Sequence, residues 1–302
     1  MTQPETLPAV ALIGLGNMGT PMARRLIAAG YSVAGFDIAE GPRAQLADAG
    51  GIAADSATAA VSGAGVVILM LPDSNVVESV LTDEALLTAL EPGARVVDMS
   101  SSEPLRTRAL AELLETRGIT VIDAPVSGGV TGAVAGTLTI MVGAEPRVAA
   151  ALEPLLGNLG RTVHAGSVGA GHAAKALNNL LSATHLWATS EAMLAGERFG
   201  IDPAVLLSIF NGSSGRSGST ENKWPNFILS EAFDSGFGLR LMLKDMRIAV
   251  GLAEQVGTPS ELGSDAVELW ARASAELPPS ADHTEVARWL RMRNEGRSTM
   301  AG

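Results

Sequence analysis

Short apolar runs alternate with helical patterns through the first half of the chain. Between the first strands, residues 18–29 and 41–49 place apolar side chains at helical spacing. The strand-like apolar runs lie at residues 9–13, 32–36, 66–71, 95–99, 120–122, 138–142 and 162–164. Strands that are apolar on both faces and alternate with helices predict a mostly parallel, doubly wound α/β sheet.

The strand patterns stop after about residue 165, and helical patterns follow. No proline interrupts residues 170–200, which predicts one helix of roughly 28 residues that ends at Gly200. Asp202 and Pro203 suit the cap and first position of the next helix. Further helical patterns cover residues 204–211, 239–255, 263–275 and 284–293. We therefore predict an α/β domain of residues 1–165 and an all-α domain of residues 166–302, joined by the long helix.

Composition narrows the class of protein. The 302 residues are 47% hydrophobic, enough for a substantial core, and the absence of cysteine excludes disulfides, thiolate metal ligands and cysteine nucleophiles. A net charge of −11 argues against nucleic acid or an anionic membrane as the main partner. The first ten residues lack a basic region followed by an apolar one, and the longest Ala/Leu-rich stretch is too polar for a membrane span. We expect a soluble, cytoplasmic protein that acts on a small molecule.

A glycine-rich fingerprint, GLGNMG, follows the first predicted strand and opens the first helix. Its glycines allow a tight turn, close approach to a pyrophosphate and close packing of helix on strand, and the helix N-terminus favours phosphate. Asp37 ends the second strand, where a carboxylate binds ribose hydroxyls and repels a 2′-phosphate. Arg43, a basic residue, lies several positions away. The pattern predicts a Rossmann-type domain that binds NAD in preference to NADP, through Gly14, Leu15, Gly16, Asn17, Met18, Gly19 and Asp37.

Other polar and small residues end later strands. Leu71 and Pro72 follow the third strand, and Ser101 follows the fourth, where ligands of open α/β sheets bind. Ordinary turn chemistry explains these residues equally well. Ser127, Gly128 and Gly129 could present consecutive backbone N–H groups and a hydroxyl to a carboxylate. From composition alone, this segment is a flexible loop.

The chain has three lysines and eighteen arginines, and Lys175 lies in the run GAGHAAKALNNLL. A lysine can lose its proton, whereas an arginine cannot. Asn179 follows one helical turn later on the same face, so the pair suits proton transfer beside a polar substrate. The alternative is that Lys175 merely lies on a solvated helix face.

Lys223 lies in a polar stretch and receives no role. The four histidines lack ligand spacing, which predicts capping or surface positions and no metal site.

Four motifs together resemble the β-hydroxyacid dehydrogenase family, which includes 3-hydroxyisobutyrate, tartronate semialdehyde and 2-(hydroxymethyl)glutarate enzymes. They are GLGNMG, DAPVSGGVTGAVAGTLTIMVG, GAGHAAKALNNLL and GFGLRLMLKDMRIA, in family order over nearly the whole chain. The resemblance implies that Lys175 is the catalytic lysine and that Phe237 closes the pocket. It also implies a homodimer or homotetramer built through the helical domain. The implied substrate residues are Ser127, Gly128, Gly129 and Asn179, and the implied cofactor residues include Leu71, Pro72, Ser101 and Lys244.

The resemblance implies NAD-dependent interconversion of a small 3-hydroxy acid and its semialdehyde, of the 3-hydroxyisobutyrate type. A tartronate semialdehyde or 2-(hydroxymethyl)glutarate reductase is the alternative. Gly218 stands where relatives often carry a large residue. The preferred interpretation places Gly218 in a loop far from the substrate, and the other is that it widens the pocket. Arg216 or Arg240 would then pair with a second carboxylate. An imine reductase shares the architecture, but Lys175 and the PVSGG loop argue against it. A non-catalytic NAD-binding protein would need neither Lys175 nor Asn179.

Overall fold

The computed structural model describes residues 7–298, with side chains up to residue 293. The chain divides into two compact units, one ending at Lys175 and the other beginning at Ala176. The domain boundary predicted after residue 165 precedes this division.

The first unit is built on a nine-stranded sheet in the order β3-β2-β1-β4-β5-β6-β8-β7, with β9 paired to β8. The strands from β3 to β6 run parallel, whereas β8 runs antiparallel to β6 and β7 and parallel to β9. The strands are β1 (Val10–Ile13), β2 (Val33–Phe36), β3 (Ile52–Ala53), β4 (Val66–Leu69), β5 (Arg95–Asp98), β6 (Thr120–Asp123), β7 (Val126–Ser127), β8 (Leu138–Gly143) and β9 (Gly160–Gly166). The seven predicted strands are confirmed, and the two-residue strands β3 and β7 were missed.

Helices cover both faces of this sheet. Alternate residues of β1 enter two separate apolar clusters, Val10 and Leu12 in one and Ala11 and Ile13 in the other. The doubly wound α/β prediction is therefore confirmed. The helices of this unit are α1 (Gly19–Ala28), α2 (Glu40–Asp48), α3 (Ala57–Val61), α4 (Ser74–Leu81), α5 (Glu84–Ala89), α6 (Pro104–Glu115), α7 (Gly129–Ala135) and α8 (Pro146–Leu156).

The parallel strands end in register at one edge of the sheet. Ile13 is aligned with Phe36 and Leu69, and Asp98 is aligned with Leu69 and Asp123. Residues that directly follow these strands are therefore brought to a common edge, where open α/β sheets bind their ligands.

The second unit is helical, and α9 (Ala170–Phe199) begins before the division between the units. Gly200 follows the last residue of this helix and has φ of 95°. The N–H of Ile201 donates to the carbonyl oxygen of Gly196, which is the hydrogen bond of a C-terminal glycine cap. The predicted Asp202 cap is confirmed because its carboxylate accepts the N–H groups of Ala204 and Val205. The remaining helices are α10 (Pro203–Asn211), a π-helix (Ser219–Ile228), α11 (Leu239–Gln255), α12 (Glu261–Glu276) and α13 (Glu285–Ser298).

The core of the second unit is rich in tryptophan. The Trp187 ring lies 6.3 Å from the Trp270 ring and 5.8 Å from the Trp289 ring, and Trp224 of the π-helix is fully buried. The π-helix was not predicted. Within the part of the chain that the structure describes, no helix is long and apolar enough to cross a membrane.

Candidate active site

The GLGNMG loop connects β1 to α1, and two of its glycines are required by packing. A Cβ on Gly14 would lie 2.2 Å from the carbonyl oxygen of Met70, and one on Gly19 would lie 2.0 Å from that of Gly14. Gly14 also has φ of 93°. Gly16 is exposed, with nothing within 4 Å of the position of a Cβ. The loop thus leaves open space at Gly16, where a pyrophosphate could approach the backbone.

Asp37 follows β2 and ties its carboxylate to this loop. One carboxylate oxygen accepts the N–H of Leu15 at 2.8 Å, and the other accepts the N–H of Ala39 at 2.8 Å. Each oxygen keeps a lone pair for a ribose hydroxyl. The guanidinium of Arg43 stacks over the ring of Phe36, the residue before Asp37.

The segments that follow β4 and β5 are joined by hydrogen bonds. The Ser100 hydroxyl accepts the N–H of Leu71 at 2.9 Å, and the carboxylate of Asp98 accepts the N–H of Ser100 and the hydroxyl of Ser102. These bonds hold Leu71 and Ser101 at the carboxyl edge of the sheet. Pro72 and Asp73 follow, and the Asp73 side chain caps α4.

The Ser127 loop has a backbone that only glycine adopts readily. Gly128 has φ of 127° and Gly129 has φ of 62°. Ser127 ends β7, whose pairing with β8 is fixed at Val126 and Ile140. The loop thus stands on the edge of the sheet with backbone N–H groups and a hydroxyl available at its tip, a set of donors suited to a small carboxylate.

A buried network holds the first turn of α9. The Asp123 carboxylate accepts the N–H of Gly169 at 2.7 Å and that of His172 at 2.8 Å. Burial raises the pKa of Asp123, while His172 and these N–H groups oppose the rise. A Cβ on Gly171 would lie 2.1 Å from the carbonyl oxygen of Met141, so the helix packs closely on β8. An anionic cap at a helix N-terminus is electrostatically favourable.

The His172 ring completes this network. It is 1% exposed, and its Nδ1 lies 2.9 Å from the Thr107 hydroxyl. That hydroxyl donates to the Glu103 carbonyl, so Nδ1–H is the donor to Thr107. The ring's Nε2 lies 3.6 Å from the Asp98 carboxylate. Lys175 follows three residues later and is itself buried at 8% exposure. The network therefore fixes the part of α9 from which Lys175 projects.

In the second unit, a buried carboxylate organises the predicted residues Asn179 and Lys244. The Asn179 amide donates to Asp245 at 2.6 Å, and the Lys244 ammonium lies 3.0 Å from the other Asp245 oxygen. Asp245 is 1% exposed. One hydrogen of the Asn179 amide is thus committed to Asp245, which fixes the direction of the other.

Comparisons with known proteins agree along the whole described chain. A protein-family model described as the NAD binding domain of 6-phosphogluconate dehydrogenase matches residues 9–169. A second family model, described as NAD-binding of NADP-dependent 3-hydroxyisobutyrate dehydrogenase, matches residues 169–290. A 3-hydroxyisobutyrate dehydrogenase of Pseudomonas aeruginosa is 41% identical over 88% of this chain and 93% of its own length. The chain belongs to the β-hydroxyacid dehydrogenase family. It is therefore an NAD-binding enzyme that dehydrogenates a hydroxyacid.

Two further relatives extend the similarity. The 2-(hydroxymethyl)glutarate dehydrogenase of Eubacterium barkeri is 36% identical over 86% of this chain and 87% of its own length. A solved 3-hydroxyisobutyrate dehydrogenase of Mycobacterium tuberculosis, in a structure with L-serine, superposes with a TM-score of 0.89 and 34% identity. That match covers 95% of this chain and 100% of the other.

The residues of this β-hydroxyacid dehydrogenase fit a dinucleotide. Gly16 has no side chain, so the space beside its backbone is open to a pyrophosphate. The Asp37 carboxylate lies beside the same loop, with lone pairs available to ribose hydroxyls. The residues that would hold NAD are Gly14, Leu15, Gly16, Asn17, Met18, Gly19 and Asp37, with Leu71, Pro72 and Ser101 at the neighbouring strand ends. The preference for NAD over NADP stays a prediction, as do the individual roles of these residues and of Lys244.

Two expectations about histidine were wrong, and three aspartates were missed. His172 and His283 are buried and hydrogen-bonded, whereas His164 and His185 are exposed. Within the described residues, no group of His, Asp or Glu could hold a metal ion. Asp123 and Asp245 bond to partners far away in sequence, whereas Asp98 bonds to the nearby Ser100 and Ser102. The sequence signals for them were that Asp98 lies near the end of the predicted strand 95–99, that Asp123 directly follows the predicted strand 120–122 and that Asp245 follows Lys244.

Proposed function

We propose that the protein interconverts a small 3-hydroxy acid and its semialdehyde, with NAD as the hydride acceptor and Lys175 as general acid and base. The names of the relatives support this substrate class. 3-Hydroxyisobutyrate, L-serine and 2-(hydroxymethyl)glutarate are all 3-hydroxypropanoates that differ in the group on carbon 2. The shared part carries the carboxylate and the reacting hydroxyl, so one set of residues could serve all three.

The Ser127 loop would hold the carboxylate of the substrate. Ser127, Gly128 and Gly129 offer a hydroxyl and backbone N–H groups, and the glycine conformations bring these donors close to a bound anion. A fixed carboxylate fixes the carbon that bears the hydroxyl, which is the positioning that hydride transfer needs. The amide of Asn179, oriented by Asp245, donates a second hydrogen bond to the substrate.

Lys175 would take the hydroxyl proton in oxidation and return it in reduction. Bound NAD supplies the acceptor for the hydride. The observation that carries this role is the burial of Lys175 three residues after His172, on a turn of α9 that Asp123 caps. A buried lysine on a helix this firmly held suits a proton-transfer role, which depends on fixed geometry.

A substrate panel tests the proposal. Purified protein is mixed with NAD or NADP and with 3-hydroxyisobutyrate, L-serine or 2-(hydroxymethyl)glutarate, and reduction is followed at the nicotinamide absorbance. We expect NAD reduction with at least one of these acids. Methyl 3-hydroxyisobutyrate should react at least about a hundredfold more slowly than the acid if the loop binds a carboxylate. No reduction with any acid, or equal rates for ester and acid, would contradict the proposal.

We also propose a homodimer or homotetramer built through the helical unit. Leu177 and Leu181 lie one turn apart on α9 and are 43% and 59% exposed, and Val205 and Ile209 of α10 are both 53% exposed. Such apolar side chains at helical spacing are typical of an interface. Light scattering after size exclusion should give a multiple of the 30.9 kDa chain mass. A monomeric mass at micromolar concentration would exclude this assembly.

A further inference from the structure

Lys223 lies against the helix that carries Asn179. It belongs to the π-helix, in which the neighbouring Trp224 is fully buried and fixes the segment in the core. The Lys223 ammonium donates to the Ser182 hydroxyl at 2.5 Å. Ser182 follows Asn179 by three residues, about 4.5 Å along the axis of α9 and on the same side of it. A positive charge is thus held one helical turn beyond a proposed substrate residue.

His283 is a buried histidine whose pKa responds to the charge of Lys223. Its ring is 3% exposed, and Nδ1 lies 3.0 Å from both the Phe237 carbonyl oxygen and the Ser235 hydroxyl. Among the described residues, no hydrogen-bond partner reaches its buried Nε2. Burial and then the Lys223 charge lower the pKa of His283 to about 4, while Asp282 opposes them. The ring is therefore neutral at pH 7.

The Asp282 carboxylate is directed toward the loop that carries Phe237. Its oxygens accept the N–H groups of Gly236 and Phe237, the hydroxyl of Ser235 and the N–H of Thr284. Arg216, expected as a possible partner for a second carboxylate, instead lies 2.7 Å from Glu221 and is largely exposed. Lys223, together with the Ser182 hydroxyl, is then the better placed group for an anion near Asn179.

We infer that Lys223 and Ser182 form an anion subsite for a second carboxylate on the substrate. The inference rests on the proposed function and extends it by naming the group on carbon 2. A carboxyethyl arm, as in 2-(hydroxymethyl)glutarate, reaches about 4 Å at C–C bond lengths near 1.5 Å, which is close to the rise of about 4.5 Å from Asn179 to Ser182. Gly218, which caps the start of the same π-helix, is exposed and has nothing within 4 Å of its Cβ position.

Binding of an anion here has a signature that does not require turnover. A carboxylate beside Lys223 offsets the positive charge that opposes protonation of His283, so the histidine pKa should rise. The NAD-loaded protein is titrated by NMR with glutarate or with butyrate, which carry two carboxylates and one. The chain has only four histidines, which simplifies the assignment. We expect glutarate to raise the His283 pKa by at least one unit and butyrate to leave it unchanged.

Kinetics of matched substrates test the same subsite. 3-Hydroxyisobutyrate and 2-(hydroxymethyl)glutarate differ only in a methyl or carboxyethyl group. We expect the ratio of their kcat/KM values to favour the dicarboxylate at least tenfold. Lys223→Gln keeps a donor for Ser182 without the charge, and should remove this preference while changing the monocarboxylate rate less than twofold. Arg216→Gln, which removes an exposed cation nearby, is the control and should keep the preference.

The outcomes separate the two proposals. If neither acid reduces NAD, the proposed function fails, and the glutarate and butyrate titrations still test the subsite. The subsite is wrong if both acids react but Lys223→Gln slows them equally or affects neither. It is also wrong if glutarate leaves the His283 pKa unchanged.

Discussion

Carboxylates that accept backbone N–H groups recur throughout this protein. Asp37 holds the glycine loop, Asp123 holds the first turn of α9, and Asp282 holds the loop of Phe237. Each therefore has a structural task in addition to any contact with a ligand. Replacing such a residue by alanine removes both a charge and an anchor, so an asparagine variant is the sharper test, since it keeps an acceptor oxygen.

Asp37 gives the first prediction, on cofactor choice. The wild-type protein should have a higher kcat/KM with NAD than with NADP, because the carboxylate repels a 2′-phosphate. Asp37→Asn should cut this preference at least about tenfold, since it removes the charge but keeps an acceptor for Leu15. Asp37→Ala should in addition raise the dissociation constant for NAD. A wild-type preference for NADP would show that Arg43, stacked on Phe36, outweighs the carboxylate.

Single residues were predictable where the chemistry is local. GLGNMG and Asp37 could be identified because they lie within one βαβ unit, and Lys175 and Asn179 could be paired because they are one helical turn apart. Asp123 and Asp245 could not, because their partners lie 46 and 66 residues away in sequence. His172 was assigned to the surface because nothing in GAGHAAK indicates that Thr107 and Asp98 surround the ring.

At the scale of elements, the buried strands and long helices could be predicted from the hydrophobic pattern. The boundaries of α11 were predicted as they are found, and α9 was predicted to within a residue of its end. The two-residue strand β7 is too short to show any period. The π-helix contains STENKWPNFI, in which a proline and several polar residues oppose a helix, yet buried Trp224 and Ile228 hold it in the core.

His283, in the segment between α12 and α13, gives a prediction about how the free energy of unfolding depends on pH. His283 has its pKa lowered from 6.5 to about 4 in the folded protein. Between these values the unfolded chain binds a proton that the folded chain does not, so stability falls as the pH drops below 6.5 and stops falling near pH 4. The loss from this residue between pH 7 and pH 5 should be about 2 kcal/mol.

Tryptophan fluorescence measures this effect in the second unit, because all four tryptophans, Trp187, Trp224, Trp270 and Trp289, lie there. His283→Asn keeps a donor for the Phe237 carbonyl but does not titrate. It should therefore flatten the decline of the urea midpoint from pH 7 to pH 5. His185→Asn, at an exposed position on α9, is the control and should behave like wild type. Equal declines in all three proteins would contradict the assignment.

At the scale of the molecule, the sequence motifs, the sheet and the relatives agree on a hydroxyacid dehydrogenase. The acidic net charge of −11 gives the substrate, itself an anion, no long-range attraction to the protein. Under the proposed function, binding then depends on short-range donors such as the Ser127 loop and, as inferred, Lys223. Substrate choice could not be predicted from the motifs, since we propose that these bind the part that all the acids share.

The proton-transfer role of Lys175 is the central claim, and the kcat of Lys175→Ala tests it most directly. We expect kcat to fall at least about a hundredfold, the low end for loss of a general acid and base. The dissociation constant for NAD, measured by fluorescence, should stay within about twofold of wild type. Lys175→Arg should be as inactive as Lys175→Ala because arginine does not release its proton. Arg147→Ala, an exposed cation in the first unit, should keep wild-type kcat. Turnover by Lys175→Ala within tenfold of wild type would contradict the account.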